Sequence, residues 1–270
     1  MEAVAAISDP AAPARLALEK MAIFIPAYNA AATLPRVIER IPANIKEIVE
    51  EILVIDNHSP DNTYLVAIGC KYEQNLFNLQ VIRNPRNLGY GGSQKIAYQH
   101  SIDKGYKGVA LLHGDAQYAP ELLGELLAPI LEGRADMVFG SRMRGDPRGG
   151  GMPLHRYLGN RFLTWVQNRL LRTHLSEFHS GYRVYSTDAL RKVPFGRLSS
   201  DYHFDTEIII LLKEYGLQIR EVPIPTYYGE EKNYVNIWKY GMDVLVTTIS
   251  YFLHKRGWRK SSRWAKILGE

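Results

Sequence analysis

The sequence contains little cysteine and no long apolar run. Its 270 residues include one cysteine, Cys70, which excludes an intrachain disulfide and a cysteine-rich zinc site and favours a reducing compartment. No stretch of about 18 apolar residues is present, so no segment is expected to span a bilayer as a helix. Residues 1–20 lack the apolar core of a secretory leader, and we interpret them as a loose N-terminal segment. We therefore expect a cytoplasmic protein that is either soluble or peripheral to a membrane.

A dinucleotide-binding fingerprint is also missing. The first predicted strand is followed by Pro-Ala-Tyr-Asn instead of Gly-x-Gly-x-x-Gly, and the later glycines at 89–92 have a different spacing, which disfavours a dehydrogenase. Lys and Arg number 33 against 28 Asp and Glu, a mild excess that suits phosphate-bearing ligands or an anionic membrane surface. No nucleic-acid-binding module is recognised, so nucleic acid is not expected as a partner.

Short apolar segments alternate with helical patterns along the chain. This order predicts an α/β fold with a mostly parallel central sheet and helices on both faces. The predicted strands are 21–25, 51–56, 79–83, 108–112, 136–140, 182–185 and 217–223. The predicted helices are 31–41, 61–74, 92–104, 120–132, 155–174, 204–215 and 236–253.

Polar side chains gather where predicted strands end. Asp115 and Gln117 follow the strand that ends at Leu112, and Asp56 ends an earlier strand. In open α/β sheets this rim is where ligands bind. A carboxylate and an amide oxygen two residues apart are donors that Mg²⁺ or Mn²⁺ takes alongside substrate phosphates. A helix N-cap loop is the alternative interpretation of this string, and Asp61 is interpreted as the N-cap of the following helix.

Two segments are rich in basic residues. Residues 141–153 carry three arginines among glycine and proline, and we interpret them as a lid over phosphate, with a solvated linker as the alternative. Residues 236–270 combine an amphipathic helix with a basic segment that contains Trp258 and Trp264. That segment suits the headgroup zone of an anionic membrane, or else a helix docked on the core with a solvated tail.

Several of these strings together resemble the family 2 glycosyltransferases, whose catalytic domain has the GT-A fold. Pro26-Ala27-Tyr28-Asn29 matches the opening element of that family, and Asp56 to Thr63 matches its Asp-x-x-Ser-x-Asp-x-Thr element. Asn87 to Gly92 is similar to a glycine-containing stretch before a helix. The resemblance implies a GT-A catalytic domain over residues 21–235, with 1–20 as a leader and 236–270 as a C-terminal helix and tail.

Later strings resemble the branch of dolichyl- and polyprenyl-phosphate sugar transferases. They are Gly140-Ser141-Arg142, Gly151-Met152-Pro153, Ser180-Gly181-Tyr182-Arg183, Tyr202 to Glu207 and Glu221-Val222-Pro223-Ile224. This resemblance implies inverting, metal-dependent transfer of a sugar from a UDP- or GDP-sugar to a polyprenyl phosphate. It also implies a protein peripheral to the inner face of the cytoplasmic membrane.

The residues and the resemblance together assign roles to individual positions. The expected nucleotide contacts are Pro26, Ala27, Tyr28, Asn29, Asp56, Gly114 and Asp115. The expected catalytic residues are Asp115, Asp205 and Arg142, the expected metal ligands are Asp115 and Gln117, and the expected contacts to an acceptor phosphate are Arg156, Arg183 and Lys232. The sequence departs from the pattern at His113, where the branch usually has Asp, and at Ala30, where it often has Glu.

Asp205 leaves the acceptor open. A phosphate acceptor is already ionised at neutral pH, whereas a sugar hydroxyl needs a general base, for which Asp205 occupies the corresponding region. The alternative interpretation of Asp205 is purely structural: an acidic side chain in the first turn of a helix is stabilised by the helix dipole. The alternatives are therefore a transferase acting on a sugar hydroxyl and, because of His113, a nucleotide-binding scaffold without transfer.

Overall fold

A seven-stranded sheet forms the centre of the molecule. The computed structural model describes residues 20–226 and 236–270. Its strands are β1 (Met21–Ala27), β2 (Glu51–Asp56), β3 (Leu79–Arg83), β4 (Gly108–Leu111), β5 (Met137–Ser141), β6 (Arg183–Ser186) and β7 (Ile219–Pro223). They lie in the order β3-β2-β1-β4-β6-β5-β7. All neighbouring pairs are parallel except those that β6 makes with β4 and β5. The predicted α/β fold with a mostly parallel sheet is confirmed.

Helices connect the strands in the predicted order. They are α1 (Leu34–Arg40), α2 (Ala43–Ile48), α3 (Thr63–Glu73), α4 (Tyr90–Asp103), α5 (Leu123–Leu131), α6 (Leu154–Leu171), α7 (Thr187–Lys192), α8 (Phe204–Glu214), α9 (Ile237–Lys255) and α10 (Ser262–Leu268). A 3₁₀ turn precedes α5 at Pro120–Leu122. The short helices α2, α7 and α10 are not among the predicted elements, because six or seven residues give too little periodicity to recognise.

The sheet is covered on both faces because successive side chains of a strand point to opposite sides. Ile23 and Ile25 of β1 belong to a core that α1, α2, α3 and α5 close. Ala22 and Phe24 belong to the opposite core, which α4, α7, α8 and the C-terminal helices close. Because both faces of the sheet are buried, strands such as β1 are apolar throughout instead of alternating between apolar and polar residues.

The C-terminal segment corrects one sequence expectation. Both interpretations of the basic segment left Trp264 in contact with lipid or water, yet its side chain is 1% exposed. The ring packs against Tyr251 of α9, with a centroid separation of 5.1 Å. The amphipathic α10 brings Trp264 and Ile267 to the core, while Trp258, in the turn before it, stays exposed. Within the described ranges, no helix is both long enough and apolar enough to cross a membrane.

Candidate active site

The loops after β1, β2 and β4 meet at one edge of the sheet because these three strands are adjacent and parallel. The backbone N–H of Asn29, after β1, donates to Ser59 Oγ, after β2, at 3.0 Å. The N–H of Gly114, after β4, donates to the Pro26 carbonyl at 3.3 Å. Thr33 Oγ1 adds a bond to the Gly114 carbonyl at 2.6 Å. The structure therefore brings together the predicted nucleotide contacts that lie on different strands.

Each of the three loops contains one residue in the left-handed region of backbone space. The φ angles are 53° at Asn29, 64° at His58 and 63° at Ala116. Such conformations are costly for residues other than glycine, least so for asparagine, and they concentrate at functional sites. Their occurrence at three neighbouring strand ends marks this edge as the candidate active site.

Tyr28 and Asn29 are placed to meet a ligand. The Tyr28 ring is 40% exposed at the tip of the β1 loop. Asn29 Oδ1 is buried and has no hydrogen-bond partner among the described residues. Because buried polar atoms are normally paired, this acceptor fits a donor supplied by a ligand.

Asp56 has a structural task in the same loops. Its side chain is fully buried, and Oδ1 accepts the N–H of Ser59 at 2.9 Å. Oδ2 lies 3.2 Å from the Arg83 guanidinium. A direct contact between Asp56 and a nucleotide stays a prediction, and only Oδ2 is left without a hydrogen bond for it.

Asp61 ties the second loop to the first. Helix α3 begins at Thr63 with Asn62 at its N-cap position, so Asp61 stands one residue earlier than predicted. Its carboxylate accepts the N–H groups of Thr63 at 3.1 Å and of Ala31 at 3.3 Å. Desolvation raises the pKa of Asp61, but hydrogen bonds from Thr63 and Ala31 outweigh it and leave the pKa below its usual value. The β1 loop is thereby held beside α3.

A cluster of three asparagines, Asn57, Asn84 and Asn87, positions the next loop. Asn57 Nδ2 donates to Asn87 Oδ1 at 2.9 Å, while Asn57 Oδ1 accepts from Asn84 Nδ2 and from the N–H of Leu88, each at 2.9 Å. Gly89 follows with φ of +79°, and a Cβ there would lie 2.4 Å from the Ser200 carbonyl oxygen. Only glycine permits this approach, which fixes the start of α4 beside the loop before α8.

Asp115 and Gln117 fit a divalent ion that shares its ligands with a nucleotide. Both side chains are half-buried, and Asp115 Oδ1 accepts the N–H of Gln117 at 3.1 Å, which orients the carboxylate. In the part of the chain that the structure describes, no three His, Cys, Asp or Glu side chains converge as a complete metal cage. Mg²⁺ and Mn²⁺ at nucleotide sites commonly take one or two protein oxygens, with the remaining ligands from phosphate and water. Two half-buried oxygen donors on one loop match that requirement.

Asp205 lies in a hydrogen-bonded cluster at the start of α8. Its carboxylate accepts the Tyr90 hydroxyl at 3.0 Å and Gln94 Nε2 at 3.3 Å, and it forms an ion pair with Arg183 at 3.4 Å. The residue is 5% exposed. Burial, with a smaller contribution from the Asp205 charge, raises the pKa of Tyr90 well above its usual value, so Tyr90 stays protonated and donates. Both carboxylate oxygens are therefore engaged by the protein.

His113 completes this cluster. Its Nε2 lies 3.2 Å from the Tyr90 hydroxyl oxygen, and a Cβ on Gly181 would fall 2.5 Å from the same nitrogen. Burial lowers the pKa of His113, although the charges of Asp115 and Asp205 act in the opposite direction. Since the Tyr90 hydroxyl donates its hydrogen bond to Asp205, Nε2 of the neutral imidazole is assigned as the donor to Tyr90. In this arrangement His113 orders the Tyr90 hydroxyl.

Arg142 is held next to the site by an acid that sequence reasoning missed. Glu177 is fully buried and accepts Arg142 Nη2 at 2.8 Å, the Arg142 N–H at 2.5 Å and Asn160 Nδ2 at 3.0 Å. Desolvation raises the pKa of Glu177, but Arg142 and these hydrogen bonds outweigh it and lower the pKa. Glu177 thus orients the Arg142 guanidinium and offsets part of its charge. Nothing in the sequence indicates this pairing.

Two unpaired polar atoms lie on the same side as Arg142. Arg142 Nη2 donates to the His179 carbonyl at 3.2 Å. His179 Nε2 and Ser180 Oγ are buried and have no hydrogen-bond partner among the described residues. Burial lowers the pKa of His179 to about 4, so the ring is neutral near pH 7. Because buried polar atoms are normally paired, these two atoms are candidates for hydrogen bonds to a ligand.

The three expected contacts to an acceptor phosphate have different outcomes. Arg183 is a correction, because its guanidinium is 0% exposed and donates to the carbonyls of Ser180 at 2.7 Å and Asp205 at 3.0 Å. It supports Asp205 and has no open face for a phosphate. Arg156 lies half-buried in the first turn of α6, and its role stays a prediction. Lys232 lies outside the described residues.

The arginine-rich segment before α6 is packed against the end of β7. Arg144 Nη1 donates to the Glu221 carbonyl at 3.3 Å, and Arg148 Nη1 donates to the Met152 carbonyl at 2.6 Å. Met152 is 1% exposed. Arg144 thus joins the segment to β7 and Arg148 stabilises the segment itself, and closure over a phosphate stays a prediction.

The fold and the polar rim define an α/β enzyme of the GT-A glycosyltransferase type. Among solved structures, glucosyl-3-phosphoglycerate synthase from Mycobacterium tuberculosis in complex with Mn²⁺, uridine diphosphate and phosphoglyceric acid matches with a TM-score of 0.68. The match has 20% identity and covers 89% of this chain and 81% of that one. At this level of identity the match shows a shared fold alone.

The sequence comparisons identify the family. The sequence model described as glycosyl transferase family 2 matches residues 22–193. Over 218 residues the chain is 26% identical to the UDP-N-acetylglucosamine–dolichyl-phosphate N-acetylglucosaminyltransferase of Methanococcus voltae, covering 77% of this chain and 86% of that protein. It is 30% identical over 247 residues to the low-salt glycan biosynthesis hexosyltransferase Agl6 of Haloferax volcanii, covering 88% of this chain and 56% of that one. The chain belongs to glycosyl transferase family 2 and is a nucleotide-sugar-dependent glycosyltransferase.

Proposed function

We propose that this enzyme transfers a sugar, with inversion at the anomeric carbon, from a UDP- or GDP-sugar to a polyprenyl phosphate at the cytoplasmic face of a membrane. Residues 21–235 would supply the catalytic unit. The observation that carries the proposal is the engagement of Asp205, whose carboxylate is already bound by Tyr90, Gln94 and Arg183. A hydroxyl acceptor needs a free base, whereas a phosphate acceptor has no proton to lose.

The donor would bind across the three neighbouring loops. Tyr28 is exposed for stacking on the base, and Asn29 Oδ1 is an unpaired acceptor beside it. Asp115 and Gln117 would hold a divalent ion, which when bound offsets charge on the diphosphate. The relative from Methanococcus voltae is named for a UDP-sugar donor and a dolichyl-phosphate acceptor, which supports this pair of substrates.

The transfer step needs orientation rather than proton removal. An oxygen of the acceptor phosphate attacks the anomeric carbon as its bond to the nucleoside diphosphate breaks, and the nucleotide departs with that electron pair. Arg142, fixed by Glu177, would orient negative charge near the reacting atoms. The unpaired His179 Nε2 and Ser180 Oγ would form hydrogen bonds with sugar hydroxyls.

The donor site predicts a metal-dependent stabilisation by one nucleotide. Thermal unfolding is measured with UDP, GDP, dTDP and CDP, each with and without Mn²⁺. At a hundredfold excess over Kd, binding adds about 2.7 kcal/mol to stability, which corresponds to a rise in Tm of several degrees. We expect Asp115→Ala to abolish the Mn²⁺-dependent part, while Asp188→Ala, on the surface at 82% side-chain exposure, keeps it. Equal shifts in both variants would contradict the assignment of Asp115.

The acceptor is tested with a matched pair of lipids. A short-chain polyprenyl phosphate and the corresponding polyprenol are incubated with labelled UDP- and GDP-sugars, and the product is separated by chromatography. Product from the phosphate alone supports the proposal. Product from the polyprenol or a glycan hydroxyl supports the alternative, in which Asp205 is the base. Nucleotide binding without transfer to any acceptor or to water supports the scaffold interpretation.

A further inference from the structure

The outer sides of α6 and α9 are unusually apolar for an exposed surface. Of the 17 exposed large hydrophobic side chains in the described residues, nine lie on these two helices. Leu158, Phe162 and Trp165 on α6 are 54%, 57% and 65% exposed, and Trp238 and Met242 on α9 are 88% and 59% exposed. The two helices pack against each other. We call their exposed apolar sides, together, the α6–α9 face.

Helix α6 has its amphipathic pattern turned outward. A surface helix normally buries its apolar stripe, yet the buried residues of α6 are Thr164, Gln167 and Leu171. Gln167 Nε2 donates to Thr206 Oγ1 at 3.3 Å, so a polar contact joins α6 to α8. The apolar stripe is therefore free of the protein interior, and a contiguous exposed patch of this kind marks an interaction surface.

Charge on and beside the α6–α9 face indicates its partner. Helix α6 contains no acidic residue, and Arg161, Arg169 and Arg172 lie exposed along it or at its C-terminal end. Beyond α9, Arg259 and Lys260 are exposed next to Trp258, itself 70% exposed. Apolar and tryptophan side chains bordered by basic residues suit the interface of an anionic bilayer. A second copy would instead place the same arginines opposite one another, which is unfavourable.

The α6–α9 face also lies beside the acceptor side of the active site. Asn160 of α6 bonds to Glu177, the acid that orients Arg142, at 3.0 Å. Tyr240 of α9 bonds to His179 Nδ1 through its hydroxyl at 2.9 Å. A phosphate held at a bilayer surface under these helices would be close to Arg142 and His179.

We propose that the protein docks on anionic lipid bilayers through the α6–α9 face, and we connect this surface to catalysis on the basis of the proposed lipid-phosphate acceptor. The α6–α9 face differs from the membrane contact expected from the sequence, which was the segment 236–270, because it includes α6 and excludes Trp264. Three of the four tryptophans are exposed on or near it, whereas Trp264 is buried. Their fluorescence is therefore a direct reporter of docking.

The test measures sedimentation of the full chain with vesicles of phosphatidylcholine alone and with about one third phosphatidylglycerol. We expect binding to the anionic vesicles with a blue shift of tryptophan emission, and at least a tenfold weaker partition for the Trp165→Ser, Trp238→Ser double variant. A Tyr72→Ser, Phe77→Ser control removes two equally exposed rings elsewhere, 72% and 83% exposed, and should bind as the wild type does. The charge variant Arg169→Glu, Arg172→Glu should lose the preference for anionic vesicles.

Three outcomes would overturn the docking surface. The first is no binding of the full chain to anionic vesicles, and the second is an equal loss of binding in the tryptophan and control variants. The third is a dimer, detected by light scattering, that the tryptophan substitutions dissociate without changing vesicle binding. A transfer assay with a water-soluble short-chain prenyl phosphate distinguishes the docking proposal from the proposed function. If the protein transfers sugar to this acceptor but does not bind vesicles, the docking proposal alone is refuted. If it binds vesicles but transfers sugar to no lipid phosphate, the proposed function alone is refuted.

Discussion

Arg183 and Asp205 form the buried ion pair on which the candidate active site is built. The guanidinium is fully buried and donates to Ser180, Phe178 and Asp205, so every part of it has a protein partner. Removing one member of such a pair leaves the other charged and desolvated, which costs about 3–5 kcal/mol. Asp205 is therefore a structural residue whatever its chemical role, and a loss of activity alone does not identify a base.

Substitution of Asp205 should separate stability from chemistry. We expect Asp205→Asn to lower the free energy of unfolding by about 3 kcal/mol because Arg183 loses its counter-charge. Among molecules that remain folded, transfer to a polyprenyl phosphate should persist within about tenfold, whereas transfer to a hydroxyl should fall by about 10²–10⁴. Urea denaturation and single-turnover assays on the same preparation measure the two effects.

The surface pair Asp188–Arg191 provides the control for that substitution. The two side chains are 82% and 43% exposed, so Asp188→Asn should change stability by no more than about 0.5 kcal/mol. An equal loss in both variants would contradict a special cost at Asp205. A normal stability with abolished phosphate transfer would contradict the proposed acceptor.

At the scale of elements, the loop between β3 and α4 depends on close backbone contact. The N–H of Gly91 donates to the Ser200 carbonyl at 2.8 Å, and Gly89 adopts φ of +79° against the same residue. This contact places Tyr90 between His113 and Asp205. The loop between β3 and α4 therefore fixes the position of the start of α8 relative to the edge of the sheet.

Gly89→Ala should disrupt this contact. Its Cβ would meet the Ser200 carbonyl at 2.4 Å in a backbone conformation that alanine avoids, so we expect a loss of about 2–4 kcal/mol in urea denaturation. Gly69→Ala in α3 is the matched control, because its Cβ meets nothing within 4 Å. There the change should stabilise the protein by about 0.5–1 kcal/mol through helix propensity. Similar effects at the two glycines would contradict the close contact.

The strands, the long helices and the strand-end motifs could be predicted because they leave a regular pattern in the sequence. The burial of Arg183 could not be predicted in the same way, because both faces of its strand are covered and alternation alone does not show which side chains are enclosed. Glu177 could not, because it lies in an irregular segment and pairs with Arg142, 35 residues away. The outward stripe of α6 was equally hidden, because periodicity gives an apolar side without showing what covers it.

At the scale of the whole molecule, the C-terminal helices complete the core and reach toward the active site. Arg263 of α10 forms an ion pair with the fully buried Glu207 of α8. Glu207 also accepts the N–H of Ser199 at 2.7 Å, next to the residue that contacts Gly89 and Gly91. Deleting the segment after Leu253 would remove these supports together with the basic residues. Point substitutions on the α6–α9 face are therefore the sharper test of membrane docking.

The two tryptophans of the C-terminal segment should differ sharply in their contribution to stability. Trp264 is 1% exposed and packs edge-on against Tyr251, so Trp264→Ala should cost about 3–5 kcal/mol. Trp258 is 70% exposed, so Trp258→Ala should change stability by no more than about 0.5 kcal/mol while weakening vesicle binding. Urea denaturation and vesicle sedimentation of both variants give the comparison. If Trp264→Ala were as stable as the wild type, α10 would not be part of the core, and the C-terminal segment would be available to the membrane as a whole.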